Sequence, residues 1–273
     1  MRECIGELMG TFLLVLLGCG SVAVAVVFGA LQGLFEIAAV WGIGVTLAIY
    51  ATRHLSCAHL NPAVTLAMAA SGRMNLDKAP TYILSQLAGA FLAGLVVYYL
   101  FGPSIAAYES AQGLVRGSAQ SMLTGRIFGE YYALPGSAAV VSMPLAMVTE
   151  GFGTFLLVFI IFSLTEGCNL GRPDSNLAPL FIGLTVTVLI CLLAPLTQGG
   201  FNPARDFGPR LVAWAMGWGE AAFPDHSGGF FWVYILAPIL GGQGAAFFFT
   251  RLLEPLMKTP IPCCTTTKKD TPQ

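Results

Sequence analysis

Apolar residues run in blocks longer than a soluble core helix requires, separated by short polar stretches. From Ile5 to Phe28 the only charge is Glu7, and this block exceeds the roughly 20 apolar residues that carry an α-helix across a bilayer. Further apolar blocks run from Ile37 to Tyr50, Tyr82 to Phe101, Met143 to Leu164, Leu177 to Leu196 and Phe230 to Phe249. Charged residues, Gly or Pro bound each of them. The pattern predicts six membrane-spanning helices and an all-α membrane protein. The first block continues past any small-residue cleavage site, so it reads as a retained span and not as a removable signal peptide.

Two shorter stretches follow the second and fifth blocks, from Asn61 to Ala70 and from Asn202 to Met216, and both open on Asn-Pro-Ala. They are too short to cross. Asn at the N-cap with Pro at the first helical position is a helix-start signal, so each predicts a half-helix that begins inside the membrane. The non-helical backbone before such a start is tolerated only where protein buries it or water lines it. A cavity is implied.

The two Asn-Pro-Ala triplets belong to an internal repeat. Glu7-Leu8-Met9-Gly10-Thr11-Phe12-Leu13-Leu14-Val15 recurs as Glu150-Gly151-Phe152-Gly153-Thr154-Phe155-Leu156-Leu157-Val158, with seven of nine positions identical. Gly42 and Val45-Thr46 recur as Gly183 and Val186-Thr187 at an offset of 141, which is also the offset from Asn61 to Asn202. Tyr82-Ile83-Leu84 recurs as Tyr234-Ile235-Leu236. Each half holds three full spans, an odd number, so the second half enters from the opposite side and the repeat is inverted. The expected organisation is one transmembrane unit over 1–254, with repeats at 3–101 and 143–254. The longest connection, 102–142, would partly cover the pore mouth, and 255–273 would form a polar, disordered tail.

Composition narrows the function classes. Charged residues make up 10% of the chain, against roughly 25% in soluble domains, and a net charge of -1 offers no basic field for nucleic acid. Nine of the 13 Lys and Arg fall on one side if the N-terminus is cytoplasmic, against Arg116, Arg126, Arg205 and Arg210 on the other; this predicts N-in and C-in. The seven cysteines show no metal-ligand or disulfide spacing, and most read as small apolar filler. Cys263-Cys264 could accept a lipid. His54, His59 and His226 are scattered over different loops, so no metal site, cofactor site or catalytic constellation is expected.

The chemistry is expected where the half-helices meet. Each helix N-terminus carries about +0.5 of an elementary charge, and two aimed at one midplane repel cations. The Asn61 and Asn202 carbonyls can cap their own helices while their amides donate hydrogen bonds into the lumen. A water or alcohol oxygen that accepts from both cannot also relay protons along a wire.

These residues resemble the aquaporin (major intrinsic protein) family, in particular its glycerol-conducting branch, the aquaglyceroporins. The resemblance covers about 3–254 and rests on Ser56-Cys57-Ala58-His59-Leu60-Asn61-Pro62-Ala63-Val64, on Gly200-Phe201-Asn202-Pro203-Ala204-Arg205-Asp206-Phe207-Gly208-Pro209, and on the paired Glu7 and Glu150. It implies an hourglass channel, passive conduction, a homotetramer with one pore per subunit, and a narrow aromatic/arginine filter. Asp206 after Arg205 is similar to the mark that separates glycerol conductors from water-only members. The implied setting is a plasma membrane, with glycerol, other small uncharged solutes and water as the conducted species.

Arg205 is the sharpest single residue, because an arginine at membrane depth costs several kcal/mol unless it faces water or a partner. It is expected in the filter, where its guanidinium can donate two parallel hydrogen bonds to a polyol; a lipid-headgroup anchor is the competing reading, a role Arg210 could fill. By the resemblance, Trp41 backs a polyol's carbon face, the alternative being an interfacial belt tryptophan. Gapless counting puts Ile190 and Gly199 at the other two filter positions, where a glycerol facilitator would have Gly and an aromatic. Substituting Ile and Gly there predicts an apolar filter of broad specificity that passes urea as well as glycerol.

The remaining candidates support the pore. Backbone carbonyls at Cys57, Ala58 and His59, and at Gln198, Gly199 and Gly200, should form a ladder of acceptors; His59 is either a pore residue or a satisfied structural one. Glu7 and Glu150 either sit protonated in the apolar interior or, as the family implies, accept hydrogen bonds from the irregular loops. The pairs Gly6/Gly10, Gly89/Gly94 and Gly241/Gly242 read as close helix contacts. A mainly water-conducting or urea-type pore is the alternative within the family. From another class, a coupled transporter shares inverted repeats and broken helices.

Overall fold

The computed structural model describes residues 1–223 and 229–259. His226, Cys263, Cys264 and most of the expected tail lie outside them. Six helices are long and apolar enough to cross a membrane, and among the described residues there is no strand. The chain forms α1 (Arg2–Phe28), α2 (Leu34–Ser56), the half-helix α3 (Pro62–Ala70), α4 (Ala79–Ala111), a single turn α5 (Met122–Gly125), α6 (Met143–Thr165), α7 (Ala178–Thr197), the half-helix α8 (Pro203–Ala213), α9 (Ala237–Phe248) and the turn α10 (Glu254–Met257). The last span, Phe231–Met257, is wound more widely at 231–236 and 249–253. Pro238 and Pro255, which lack an N–H, lie just beyond these two segments.

Three spans depart from the expected lengths; the last continues past Phe249 to Met257, so 255–257, expected in the disordered tail, are helical. The third helix does not stop at Phe101 but continues through Gly102 and Pro103 to Ala111. It is held at its far end by Glu109, which accepts from Arg116 (2.7 Å to Nη2) and from Thr124 (2.6 Å). The connection that follows is therefore shorter than 102–142. Part of it is core: Ile127 and Phe128 are buried, with Phe128 packed on Trp218 at 5.4 Å between ring centroids. The second helix extends at both ends, because Gly33 caps its start and Cys57, in left-handed backbone, ends it.

The repeat is visible in packing. α1 packs on α2 and α4 as α6 packs on α7 and α9, and each half-helix lies against the third span of the other half, α8 on α4 and α3 on α9. The seam between halves is α2 against α7. There Gly42 and Gly183 approach so closely that a Cβ on either would run into the other's carbonyl oxygen. Thr187 Oγ1 donates to Ala38 O (3.2 Å) and Thr46 Oγ1 to Pro179 O (3.4 Å), a reciprocal pair across the seam. A Cβ on Gly89 would likewise strike Leu8 O, and one on Gly241 would strike Gly151 O. The expected close contacts at Gly6, Gly10, Gly94 and Gly242 are present too.

This packing sets a stability test. Gly241→Val forces α6 and α9 apart at a backbone contact, and overpacking of this kind costs roughly 1–3 kcal/mol. Gly20 has open space where its Cβ would be, so Gly20→Ala should be neutral or stabilising by up to about 1 kcal/mol. Thermal unfolding in detergent should show a lowered midpoint for the first variant only; equal midpoints would mean the close crossing does not constrain the fold.

Candidate functional site

Two irregular stretches, 57–61 and 198–202, end the second and fifth spans and lead into the half-helices. Positive φ angles occur at Cys57 (68°), Ala58 (54°) and Leu60 (53°), and again at Gln198 (67°), Gly199 (78°) and Phe201 (50°). Five of these six are non-glycine residues in the left-handed region, which costs energy and persists only where the surroundings enforce it. The enforcing groups are Glu7 and Glu150. Glu7 accepts from the His59 and Leu60 amides (3.0 and 2.8 Å) and from Gln86 Nε2 (2.7 Å). Glu150 accepts from the Gly200 and Phe201 amides (3.0 and 2.7 Å). Of the two readings of these acids, loop support is the geometry observed. Tyr82 and Tyr234 add matching anchors, donating to Ser56 O (2.8 Å) and Thr197 O (3.0 Å).

The two asparagines meet by a reciprocal exchange. Asn61 Oδ1 accepts from the Ala63 amide (2.8 Å), and Asn202 Oδ1 from those of Ala204 and Arg205 (3.0 and 3.2 Å), each capping its own half-helix. Asn61 Nδ2 donates to Phe201 O (2.9 Å) and Asn202 Nδ2 to Leu60 O (2.7 Å). One amide hydrogen of each asparagine is thus committed to the opposite loop, and the other remains for the lumen. Pro62 and Pro203 occupy the first helical positions, and Ala63 and Ala204 follow, fully buried.

A lumen of about 300 Å³ runs past this junction. It is lined by Asn61 and Asn202, by Cys57, Ala58 and His59, by Gly199, Gly200 and Phe201, and by Trp41, Ile190 and Arg205. Aliphatic residues, among them Leu14, Val45, Val64 and Val186, make up much of the rest. All four expected filter residues face this one space, and its lining contains no Asp or Glu. His59 stacks beside Tyr82 at 5.1 Å, and its Nδ1 has no hydrogen-bond partner. The Gln198 side chain turns to a second pocket and accepts from the Tyr131 amide (3.0 Å).

Arg205 is buried, with its guanidinium carbon 3.9 Å from the centroid of the Trp41 ring and its Nη2 ion-paired with Glu130. A cation over an indole face is held electrostatically, so Trp41 serves as the floor of the arginine as well as an apolar wall. Asp206 does not reach the lumen. It pairs with Arg210 (2.6 and 3.0 Å) and accepts from the Glu130 amide (2.8 Å). Arg210, the candidate headgroup anchor, is instead fully buried and donates to Glu130 O (2.7 Å) and to Ala222 O.

Two residues that the sequence reading did not single out lie next to the expected filter positions: Glu130, behind Arg205, and Phe201, beside Gly199. Glu130 carried a signal, since it is the one acid within an apolar and aromatic run, Ile127 to Leu134, but only the fold brings the connection onto Arg205. The Phe201 ring lies beside Gly199 and against Gly153 of α6. The space expected to stand open at Gly199 is partly filled by this ring and by Ile190, whose Cγ1 lies 3.6 Å from where a Cβ would be.

A model of the major intrinsic protein family matches residues 1–249. The chain belongs to this family. It is 41% identical over 255 residues to the propanediol uptake facilitator of Citrobacter freundii, covering 92% of this chain and 91% of that one. It is 43% identical over 243 residues to the glycerol uptake facilitator protein of Pseudomonas aeruginosa, covering 88% and 84%. The solved aquaglyceroporin of Plasmodium falciparum shares the fold at a TM-score of 0.81 and 26% identity, over 94% of this chain and 98% of that chain. The chain is an integral, multi-pass membrane protein, and its hourglass of two half-helices is the architecture of that relative.

The loop anchors are testable in this major intrinsic protein. Glu150→Ala leaves the buried Gly200 and Phe201 amides without their acceptor, at roughly 1–3 kcal/mol for each. Glu150→Gln keeps one acceptor oxygen and should fall between the alanine variant and the wild type. An alanine variant that unfolds at the wild-type temperature in detergent would show that the acid does not hold the loop.

Proposed function

We propose that the protein is a passive channel for glycerol and other small uncharged solutes, with water, that excludes protons and ions. The observation that carries this reading is the pairing of Arg205 with Trp41 in the wall of a lumen whose lining is largely aliphatic. A polyol's adjacent hydroxyls can accept from the guanidinium while its carbon face lies on apolar wall. Further along, the free amide hydrogens of Asn61 and Asn202 offer the next donors, and the exposed carbonyls of the two loops the acceptors. Glycerol and propanediol, the solutes named for two relatives, both have this two-faced form.

Exclusion of ions follows from the same parts. Two half-helix N-termini converge on the asparagines, and their positive ends oppose a cation; water oriented there as an acceptor breaks a proton wire. A coupled carrier fits less well, because the acids of the full spans, Glu7 and Glu150, are occupied by loop amides, Asp206 is paired with Arg210, and no acid lines the lumen. The broader reading, with urea passing beside glycerol, is supported by the absence of any side chain at Gly199. The Phe201 ring beside it limits the gain in width.

The wider setting belongs to the same proposal. The protein works as a homotetramer in the plasma membrane, both termini on the cytoplasmic side, as one unit over 1–254. Asn61, Pro62, Ala63, Asn202, Pro203 and Ala204 form the central junction, and Trp41, Ile190, Gly199 and Arg205 form the filter.

Stopped-flow light scattering on proteoliposomes tests the reading. Glycerol uptake should rise linearly with gradient, without saturation and without response to ion gradients. Arg205→Ala should lower glycerol selectivity over urea and weaken proton exclusion. Ile190→Gly should raise urea permeability more than glycerol permeability, since it removes bulk without removing a donor. A refill by Gly199→Phe is ill-suited, because φ there is 78° and the Phe201 ring is already adjacent. Saturable, ion-driven uptake, or unaltered selectivity in Arg205→Ala, would refute the proposal.

A further inference from the structure

We propose that Glu130 is the counter-ion of the filter arginine and that its charge decides whether the filter rejects anions. This inference rests on the channel reading above and adds to it a residue outside the half-helices.

Glu130 is 4% exposed and Arg205 5% exposed, and the two are ion-paired. No other acid contacts Arg205, and no backbone carbonyl accepts from its guanidinium among the described residues. The pair thus supplies the whole of the arginine's local neutralisation, with the Trp41 ring beneath it. Its backbone fixes the acid in place from both sides: the Glu130 amide donates to Asp206 (2.8 Å) and its carbonyl accepts from Arg210 (2.7 Å). The clamp itself is a closed ion pair, because Asp206 and Arg210 satisfy each other. What remains for Arg205 is one carboxylate, behind the wall at Gly200, with Cγ 3.7 Å from where a Cβ on that glycine would sit.

The physical consequence is a sign. With Glu130 ionised, the filter's positive charge is cancelled at contact distance, so a small anion gains nothing by entering and loses its hydration. With Glu130 neutral, a full positive charge stands at the mouth of a lumen that already ends on two positive helix termini. Those termini and Arg205 then act together on an anion, and the barrier to anions falls while that to cations rises. Neutral solutes see little change, because the guanidinium donors persist.

The groups facing Glu130 are Arg205, Asp206 and Arg210 on α8, Glu150 on α6, Tyr234 in the last span, Cys19 on α1 and its neighbour Tyr131. Burial raises the Glu130 carboxyl, the Arg205 guanidinium lowers it and Asp206 raises it again, and together they leave it pushed up to about 7. The carboxylate, and with it the neutral filter, therefore prevails above that value, and the proton displaces the pairing below it.

Full-length protein in planar bilayers and in proteoliposomes provides the test, with nitrate as the probe anion and glycerol as the neutral reference. Glu130→Gln should raise nitrate current about tenfold or more, the effect of 1.4 kcal/mol on ion entry, while glycerol permeability stays within about twofold to threefold. Glu130→Asp, which keeps the charge, should restore low nitrate current, a rescue that a purely structural role would not give. Wild-type nitrate current should rise as pH falls through about 7, and the glutamine variant should show no such rise. Nitrate current at background in Glu130→Gln channels that still pass glycerol would overturn the counter-ion role. If that variant fails to assemble, the wild-type pH series decides: a rise supports the role and a flat profile overturns it. Failure of the channel reading has its own signature, namely wild-type vesicles that pass no glycerol.

Discussion

Two stretches of five backbone positions at membrane depth, 57–61 and 198–202, are not helical, and the polar groups they bury must find partners away from bulk water. That obligation organises the rest of the molecule. An unpaired amide in such a setting costs roughly 1–3 kcal/mol, so the loops at 57–61 and 198–202 exist only because specific acceptors were placed opposite them. Glu7 and Glu150 each accept two successive amides. The asparagines then tie each loop to the other through the carbonyls of Leu60 and Phe201. Once these are satisfied, the two loops are fixed against each other at the junction of the half-helices.

The lumen's apolar side has an equally simple cause. Helices that cross a bilayer present aliphatic side chains in every direction, and those that turn inward line the passage unless something replaces them. Here Arg205 and the two asparagines are among the replacements, with Arg53, His59, Thr165 and Ser175 elsewhere in the lining, and the placement of the first three on half-helix starts follows from the Asn-Pro-Ala signal itself. A long aliphatic wall with a few fixed donors discriminates by the shape of a solute's polar face, which suits a polyol better than an ion. The filter arginine is tolerable at that depth because an indole ring and a carboxylate compensate it from two directions.

Symmetry makes this arrangement economical. Gly42 with Gly183, and Gly89 with Gly241, bring helices into backbone contact at equivalent places in each half, so the same local chemistry builds both loops and both half-helices. Where the halves differ, function is concentrated: Arg205 and Glu130 have no counterparts at the equivalent sites of the first half, where Val64 stands at the position of Arg205. The connection between α4 and α6 differs most. It arrives from the long α4, folds part of itself into the core through Phe128, and brings Glu130 onto Arg205.

Much of this was legible in the chain alone. Span number, the two half-helices and the inverted repeat follow from apolar run length, capping residues and a fixed offset, all local properties that no distant contact can reverse. The junction asparagines were legible because they recur at that offset; Arg205 stood out as an arginine at membrane depth, and Trp41 was indicated by the family resemblance alone. Other features were settled only by tertiary structure. The run of α4 to Ala111 depended on Arg116 and Thr124 gripping Glu109, the burial of Arg210 on a partner four residues earlier and on a distant loop, and the ring beside Gly199 on where Phe201 could turn. Glu130 is the clearest case. Its identity was plain in the sequence, but an acid's role is set by the charge it meets, and Arg205 lies 75 residues further along the chain. Periodicity records which face of a helix is buried; it carries no information about which two side chains, far apart in the chain, come to share one buried site.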